Sequence, residues 1–395
     1  MEEAVIVSAV RTAVGRGKRG ALAQTRAEDL GKAVLHEAVQ RTAGLRKADV
    51  EDIVIGCAMP EGEQGLNFAR AMALYAGYPV TVPGITVNRF CASGLQAIAY
   101  AAERIMVGHA DIIVAGGVES MSHVPMTGFK LSPHPDLFAA MPQVYMSMGH
   151  TAERVAARYG ITREEQDAFA LGSHRKAAKA QAEGKFAAEI VPVAAAAGGF
   201  APSEGAWSRT APFAADECVR ANTTMEALAG LKPAFAADGT VTAGNSSPVS
   251  DGAAAVVVMS RRRADALGLK PLAAIRSFAV AGVEPELMGI GPVEAIPKAL
   301  QLARVDEQDI AAYELNEAFA SQCIQVMRQL KLDESKVNVN GGAIALGHPL
   351  GCTGAKLTVS LLGELGRRGG GHGVVSMCIG GGMGAAAVFE VYAQG

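Results

Sequence analysis

The chain has 395 residues, a formal net charge of −3 and a composition that is 50% hydrophobic but only 5% aromatic. This length predicts two or three domains with a large aliphatic interior. The small net charge, without a basic stripe, argues against nucleic-acid binding, and no apolar run approaches the ~20 residues of a membrane helix.

The cysteines and the first residues favour a reducing compartment. The six cysteines are dispersed without a CxxC pair, so reduced thiols are expected, and no histidine or cysteine cluster has the spacing of a zinc site. Residues 1–7 carry two acids and run into a strand pattern, unlike a signal or transit peptide. We therefore predict a cytoplasmic protein that binds no metal, membrane or nucleic acid.

Strand and helix patterns alternate along the first part of the chain. The predicted strands are 4–10, Ile53–Cys57, 84–88 and 111–115, and the predicted helices are 27–43, 65–76 and 93–107. Strands that alternate with helices at this spacing predict an α/β fold with a mostly parallel sheet.

The amino-acid composition changes between residues 119 and 247. This stretch is rich in Met, Pro, His and Gly, contains one helix pair (151–158 and 163–183), and has a low-complexity patch of alanine and glycine at 194–199. We interpret 119–247 as an inserted loop domain, because insertions on a rigid scaffold often carry binding function.

The regular pattern then returns as a repeat. The run 45–53 has the same residue types as 305–313, and at the same offset Ser93-Gly94 falls on Thr353-Gly354. The closing strands 252–257 and 384–389 also resemble each other. These matches predict a duplicated α/β domain.

The duplication predicts two halves and one shared site. The first half is 1–118, completed by 248–268, and the second half is 269–395. Equivalent strand ends of the halves should face each other, and ligands bind outside the carboxyl ends of strands in such sheets. The segments expected to converge there are 88–94, 316–319, 348–354 and 378–384.

The first chemistry-bearing residue is Cys91, where a β-prone run gives way to a helical pattern. A helix N-terminus favours an anion, so we expect Cys91 to lose its proton more easily than a thiol in an apolar core. The competing interpretation is a small buried hydrophobic residue.

His348 lies between a glycine and a proline in the glycine-rich run 341–354. It could take the proton of a thiol or donate to a developing oxyanion. The alternative is a helix-capping loop with an incidental histidine.

Two further segments complete the set. Cys378 leads into the glycines of 380–384, but a strand pattern follows instead of a helix, which argues against a dinucleotide loop. We interpret Cys378 as a second thiol acid/base beside anion-binding backbone amides. Asn316 either caps the helix that follows or holds a water or a substrate carbonyl.

Four motifs in this order resemble the thiolase family. They are Asn88-x-x-Cys91-x-Ser93-Gly94, Asn316-Glu317-Ala318-Phe319, Gly347-His348-Pro349-x-Gly351-x-x-Gly354 and Cys378-x-Gly380-Gly381-Gly382-x-Gly384. The resemblance implies acyl-CoA C-acyltransferase activity, a duplicated five-layered αβαβα core, a CoA-binding loop domain over 119–247, and a homodimer or homotetramer.

The resemblance also implies roles for the site residues. Cys91 resembles the nucleophile that becomes acylated, and His348 resembles the group that activates it. Cys378 resembles the acid/base at C2 of the acetyl unit. One oxyanion hole is implied for Asn316, through a water, with His348, and another for the amides of Cys91 and Gly380.

For the substrate, Arg220, Ser247 and Met148 resemble family positions at the adenine, the pantetheine arm and the acyl pocket, and Phe319 matches a pocket residue. A family serine sometimes found after Arg220 is Ala227 here, which puts one hydrogen bond to CoA in doubt. CoA and acyl-CoA are expected as substrates, with no separate cofactor.

Ser147 stands before Met148-Gly149, where acetoacetyl-CoA-forming members often have a histidine. This favours a 3-ketoacyl-CoA thiolase of fatty-acid β-oxidation, which releases acetyl-CoA through an acyl-cysteine intermediate. The alternative is an acetoacetyl-CoA thiolase that joins two acetyl-CoA. A decarboxylating condensing enzyme and an inactive lipid carrier are disfavoured by Cys378 and by the complete set of motifs. The basic run 16–20 could touch a CoA phosphate, but a flexible surface loop is the favoured interpretation.

Overall fold

The computed structural model describes residues 2–196 and 209–394, so residues 197–199 of the alanine and glycine patch lie outside it. The strands are β1 Ala4–Thr12, β2 Gly15–Arg16, β3 Asp52–Gly56, β4 Ile85–Val87, β5 Ile112–Ser120, β6 Ile190–Val191, β7 Val193–Ala196, β8 Arg209–Phe213, β9 Ser250–Ser260, β10 Ala273–Gly282, β11 Ile310–Leu315, β12 Gly370–Ile379 and β13 Met383–Tyr392. The helices are α1 Ala27–Gln40, α2 Phe68–Tyr75, α3 Ser93–Met106, α4 Pro135–Ala140, α5 Met148–Tyr159, α6 Arg163–Ala182, α7 Met225–Ala229, α8 Arg261–Ala266, α9 Gly291–Ala303, α10 Ala320–Leu330, α11 Ala343–Leu346 and α12 Leu350–Arg367.

The predicted alternation of strands and helices is confirmed, with shifts at the ends of elements. Helix α2 begins at Phe68 rather than 65, because Leu66 has a left-handed φ of 57° and the Asn67 side chain accepts a hydrogen bond from the Arg70 N–H. Strand β5 runs on to Ser120 because the longer strand β9 pairs with it from Ile112 to Ser120 and both strands are buried throughout.

The sheet records the duplication. Its path is β11-β12-β13-β10-β1-β9-β5-β3-β4, so the order β3-β5-β9-β1 of the first half recurs as β11-β12-β13-β10 in the second. In both halves the first pair is parallel and the next two pairs are antiparallel. The prediction of a mostly parallel sheet is therefore wrong, because the strands that close each half, β9, β1, β13 and β10, all pair antiparallel along the path. The same order and directions in both halves are what a repeated domain requires.

The three largest hydrophobic clusters of the described residues lie between five layers. The outer cores lie between α1, α2 and the first half-sheet and between α9, α10 and the second half-sheet, while α3 and α12 fill the central core. The predicted αβαβα architecture is therefore confirmed. The half-sheets also meet directly, where β1 pairs with β10 through Val5 opposite Ala274.

Helices α3 and α12 approach each other at glycines. A Cβ on Gly94 would lie 2.8 Å from the Gly351 carbonyl oxygen, and a Cβ on Gly354 would lie 2.4 Å from the Leu95 nitrogen. Such distances are too short for any side chain, so only glycine permits this contact. It brings the start of α3, from the first half, against the start of α12, from the second.

The segment from α4 to α7 lies between β5 and β9, as an insertion would. Buried Arg11 on β1 holds it, with Nε 2.6 Å from Glu189 and a guanidinium nitrogen 2.8 Å from Asp216. The domain boundaries near 118, 247 and 268 stay predictions. Among the described residues no helix combines the length and the apolarity needed to cross a membrane.

Candidate active site

Cys91 lies in a 3-10 turn, Phe90–Ala92, that leads directly into α3. Phe90, just before it, has a left-handed φ of 43°, a conformation that is strained for a bulky residue and is concentrated at functional sites. The side chain of Cys91 is buried, and its own N–H and the Gly380 N–H lie within hydrogen-bonding reach of the sulfur.

The pKa of the Cys91 thiol lies below those of the buried thiols of Cys57 and Cys378, as expected at a helix start, but it is still above the ordinary value. Burial raises the pKa of Cys91 to about 12, although the two backbone N–H groups favour the thiolate. The free-energy cost of removing water from a charged sulfur exceeds the stabilisation by these two hydrogen-bond donors. Cys91 is therefore a neutral thiol at neutral pH and needs a base at the moment of reaction.

His348 offers a base with a defined tautomer. Its Nδ1 lies 2.5 Å from the Thr353 hydroxyl oxygen, and that hydroxyl donates its proton to the Pro349 carbonyl oxygen at 2.9 Å. The hydroxyl must therefore accept from Nδ1–H, which leaves Nε2 without a proton. Burial lowers the pKa of His348 to about 3, so the imidazole is neutral.

Asn316 lies beside this base. Its side-chain amide nitrogen is 3.4 Å from Nε2 of His348, and its Oδ1 is buried without a hydrogen-bond partner. The capping interpretation of Asn316 is wrong, because α10 begins only at Ala320 with Phe319 as its N-cap residue. A buried oxygen without a partner destabilises the fold unless a water or a ligand donates a hydrogen bond to it.

Cys378 is fully buried at the end of β12, in an apolar cluster with Ala318, Phe319 and Met288. Burial, together with the nearby Cys91, raises the pKa of its thiol above the ordinary value. The glycines that follow form a hairpin turn into β13, and two of them, Gly381 and Gly382, have φ of 82° and 85°. The strand expected after these glycines is confirmed as β13.

Glu119 is a site residue that the sequence did not reveal. Its buried carboxylate on β5 accepts hydrogen bonds from the N–H groups of Ala58 at 2.7 Å and Gly351 at 2.8 Å, and from the Gln64 side chain at 2.7 Å. It therefore joins the loop after β3 to the start of α12, next to His348. Its partners are distant along the chain, so no local pattern could have indicated it.

Thr353 was recognised only as the repeat partner of Ser93. The Ser93 hydroxyl donates to the Phe90 carbonyl oxygen at 2.7 Å and accepts from the Arg89 N–H at 2.9 Å. Thr353 uses the same donor and acceptor pattern, but its acceptor face serves a ring nitrogen of His348 instead of a backbone group. This equivalence was the available signal for its role.

The predicted pocket residues border the catalytic cluster. Met148 begins α5, and its sulfur would lie 3.3 Å from a Cβ on Gly380. Phe319 packs edge-on against Phe235, with ring centroids 6.1 Å apart. Ser247 donates its hydroxyl to the Ala318 carbonyl oxygen at 3.1 Å, which leaves its own oxygen able to accept.

The structure thus places Cys91 beside Gly380 and Cys378, and His348 beside Asn316. The two groups adjoin because α12, which begins just after His348, packs against the turn that carries Cys91. Met148, Phe319 and Ser247 border them. The structure does not bring Arg220 into this cluster. Arg220 is exposed, and its backbone N–H donates to Nδ1 of buried His174 at 3.2 Å.

Two family models cover nearly the whole chain. The model described as thiolase, N-terminal domain, matches residues 4–262, and the model described as thiolase, C-terminal domain, matches residues 269–391. The chain belongs to the thiolase family. The resemblance seen in the four motifs is therefore confirmed, and so is the predicted enzyme class, an acyltransferase of the thiolase type.

Similar proteins cover this thiolase from end to end. The 3-ketoacyl-CoA thiolase of Bacillus subtilis (strain 168) is 60% identical over 391 residues, which are 99% of this chain and 100% of that protein. The crystal structure of the Bacillus anthracis acetyl-CoA acetyltransferase is 44% identical with a TM-score of 0.89, over 99% of both chains. The dimeric peroxisomal thiolase of Saccharomyces cerevisiae is 41% identical with a TM-score of 0.89, over 99% of this chain and 97% of that one.

Proposed function

We propose that this thiolase cleaves 3-ketoacyl-CoA with CoA, forming acetyl-CoA and an acyl-CoA shortened by two carbons, as in fatty-acid β-oxidation. The name of the Bacillus subtilis relative supports this substrate. The observation that carries the mechanism is the tautomer of His348, which leaves Nε2 unprotonated and able to act as a base.

In the first step, Nε2 of His348 takes the proton of the Cys91 thiol as the sulfur adds to the C3 ketone of the substrate. The ketone oxygen becomes an alkoxide, and the N–H groups of Cys91 and Gly380 are the donors for it. Loss of such a donor typically costs about 100- to 1000-fold in rate.

In the second step, the alkoxide collapses and the C2–C3 bond breaks. Its electron pair passes into the thioester as an enolate, and Cys378 donates its thiol proton to C2 to give acetyl-CoA. Asn316, through a water at its unpaired oxygen, and protonated His348 stabilise the enolate oxygen. The raised pKa of Cys378 suits this role, because the thiol keeps its proton until the carbanion forms.

In the third step, acetyl-CoA leaves and CoA enters. The Cys378 thiolate takes the proton of the CoA thiol, whose sulfur attacks the acyl-Cys91 thioester. The acyl-CoA product departs as Cys91 recovers its proton from His348. Each residue returns to its starting state, so the reaction needs 3-ketoacyl-CoA and CoA as substrates and no separate cofactor.

We place the acyl chain beside Met148, Phe319 and Phe235, and the pantetheine arm beside Ser247, with Arg220 at the adenine end. Ser147, where acetoacetyl-CoA-forming thiolases often carry histidine, is exposed and lies 2.7 Å from Nδ1 of His150 through its hydroxyl. A small side chain at this border leaves room for chains longer than four carbons. The alternative, acetoacetyl-CoA synthesis, has the support of the name of the Bacillus anthracis neighbour.

Thiolytic cleavage measured across 3-ketoacyl-CoAs of increasing length tests this proposal. We expect kcat/KM to stay flat or rise beyond acetoacetyl-CoA. A collapse of kcat/KM beyond four carbons would favour the acetoacetyl-CoA alternative, and an absence of cleavage at every length would overturn the proposed reaction.

We also propose a homo-oligomer formed through β4, which is one of the two edge strands on the path of the described sheet. A groove of about 420 Å³ runs beside this edge, and its lining includes Ile85, Tyr100 and Val107, which are 48%, 41% and 59% exposed. The dimeric yeast neighbour supports this proposal. Ile85→Lys should reduce the mass measured by light scattering, whereas Leu302→Lys, a substitution of an exposed leucine on α9, should not.

The predicted cytoplasmic location stays a proposal. It is supported by the six cysteines, which are all free and buried, as is typical of a reducing compartment. Cell fractionation with an antibody against the chain tests it, and recovery in an organelle or a membrane fraction would contradict it.

A further inference from the structure

A basic turn, defined here as residues 15–20, connects β1 to the rest of the first half. The side chains of Arg16, Lys18 and Arg19 are exposed, and the sequence alone favoured a flexible loop for this run. The backbone contradicts that interpretation. Arg16 N–H donates to the Glu217 carboxylate, and Lys18 N–H donates to the Ser122 hydroxyl at 2.7 Å.

Close packing also holds the turn. Gly17 N–H donates to the Val249 carbonyl oxygen at 2.7 Å, and a Cβ on Gly17 would lie 2.9 Å from that oxygen. Lys18 has a left-handed φ of 65°, a conformation that non-glycine residues rarely adopt. The turn therefore presents its three cations from a fixed backbone.

The turn lies between the two segments that carry the proposed CoA residues. Val249, which accepts from Gly17, is two residues beyond Ser247, and Glu217, which accepts from Arg16, is three residues before Arg220. Cys218 lies close enough to both Arg16 and Arg220 for their charges to favour its thiolate. Positive charge from the turn and from Arg220 thus converges on one region.

The turn also reaches the catalytic loop. Arg16 pairs with Ser250 across β2 and β9, and the Ser250 hydroxyl accepts a hydrogen bond from the His348 N–H at 3.2 Å. A ligand whose reactive end lies at Cys91 and His348 can therefore place a distant anionic end near the turn.

The acids beside the turn are already engaged. Glu217 accepts from the backbone of Arg16 and Ala21, and Asp251 accepts from the serine hydroxyls of 120 and 122. Within residues 2–196 and 209–394, no ion pair involves Arg16, Lys18 or Arg19. Three cations are thus held at the surface with their charges available to a ligand.

We propose that Arg16, Lys18 and Arg19 bind the phosphate groups of CoA. Phosphate oxygens are the acceptors that guanidinium and ammonium groups recognise most strongly, and the ADP end of CoA carries its charge far from the reacting thiol. The proposal deepens the proposed function, on which it rests, because it concerns the same substrate at the same site.

The test measures KM for three thiol acceptors at saturating 3-ketoacyl-CoA: CoA, 3′-dephospho-CoA and pantetheine. In Lys18→Ala/Arg19→Ala, we expect KM for CoA to rise about 3- to 20-fold, with kcat and KM for pantetheine unchanged. Added salt should shrink the difference between variant and wild type for CoA. The control, Arg262→Ala/Lys270→Ala, removes two cations beyond the far end of β9, about 35 Å along that strand, and should leave all three KM values unchanged.

The acceptors distinguish the two phosphate sources. If the rise in KM disappears when 3′-dephospho-CoA replaces CoA, the turn binds the 3′-phosphate. If the rise in KM persists with 3′-dephospho-CoA but disappears with pantetheine, the turn binds the pyrophosphate. An equal rise of KM for CoA and pantetheine, or no rise for either, would overturn the inference while wild-type cleavage remains normal. Failure of wild-type cleavage with every acceptor would instead overturn the proposed function.

Discussion

The Thr353 hydroxyl oxygen lies 2.5 Å from Nδ1 of His348 and, because its own proton goes to the Pro349 carbonyl oxygen, it can only accept from the ring. This relationship determines which nitrogen of His348 is left unprotonated and can act as a base. It joins a residue in the first turn of α12 to the loop that precedes the helix.

Thr353→Val should therefore impair the base without removing it. Valine keeps the shape of threonine but offers no acceptor to Nδ1–H, and a buried donor without a partner costs about 1–3 kcal/mol. We expect kcat to fall about 10- to 100-fold with little change in KM, and Thr353→Ser to restore most of the rate. A Thr353→Val enzyme with a wild-type kcat and pH profile would show that Thr353 does not position His348.

The thiol of Cys91 should be unreactive in the free enzyme at neutral pH. Since burial raises its pKa to about 12, the thiolate fraction and the rate of alkylation by iodoacetamide should both rise about tenfold per pH unit between pH 7 and pH 10. Mass spectrometry of the Cys91 peptide measures this rate, and Cys91→Ser corrects for other thiols. A plateau below pH 9 would mean that the thiol ionises as the helix position alone predicts.

His348 should make the folded protein less stable in acid. Its folded pKa of about 3 lies below the ordinary value of 6.5, so the unfolded chain takes up a proton first as the pH falls. Stability is fully present above pH 6.5 and declines between pH 6.5 and pH 3. His174, with a pKa lowered to about 4, acts in the same direction.

Urea unfolding of wild type and His348→Gln between pH 6.5 and pH 4.5 tests this. We expect the slope of the unfolding free energy against pH to be smaller in the variant by about 1.4 kcal/mol per pH unit. This difference corresponds to the uptake of about one proton on unfolding. His174→Asn serves as the matched comparison and should reduce the slope by the amount that His174 contributes. Equal slopes in wild type and His348→Gln would show that His348 is not held neutral.

Glu119→Gln should loosen the connection between the loop after β3 and α12. Its two carboxylate oxygens accept from five donors, and the amide nitrogen of glutamine would face at least two of them as another donor. We expect a loss of about 2–4 kcal/mol in the free energy of unfolding and a lower kcat, because Gly351 lies near His348. Glu334→Gln, at an exposed position, is the control. A stability equal to wild type would contradict the role of Glu119.

The sequence predicted much of the architecture because its signals are periodic and repeated. Alternating patterns placed the strands and helices, and the matches between 45–53 and 305–313 indicated the duplication that the sheet order confirms. The pairing of β1 with β10 was not predicted, since contact between two buried strands of different halves leaves no local pattern.

The candidate site was also only partly predictable from the sequence. The motifs around Cys91, His348, Asn316 and Cys378 indicated which residues matter, but one local argument was incomplete and another was wrong. The helix position of Cys91 did not outweigh its desolvation, and Asn316 does not cap α10. Both discrepancies arose because burial and contacts with distant parts of the chain decide the pKa of Cys91 and the role of Asn316. The spacing of residues in the sequence does not specify these contacts.

The separate roles of the two thiols are the core of the proposed mechanism, and Cys378→Ala tests them most directly. The variant is incubated with a simple acyl-CoA, the acyl group on Cys91 is measured by mass spectrometry, and thiolysis of 3-ketoacyl-CoA is measured in parallel. We predict that Cys91 still becomes acylated while carbon–carbon cleavage falls by about 100- to 10,000-fold, and that Cys91→Ala shows neither activity. Cleavage of 3-ketoacyl-CoA at the wild-type rate by Cys378→Ala would contradict the mechanism.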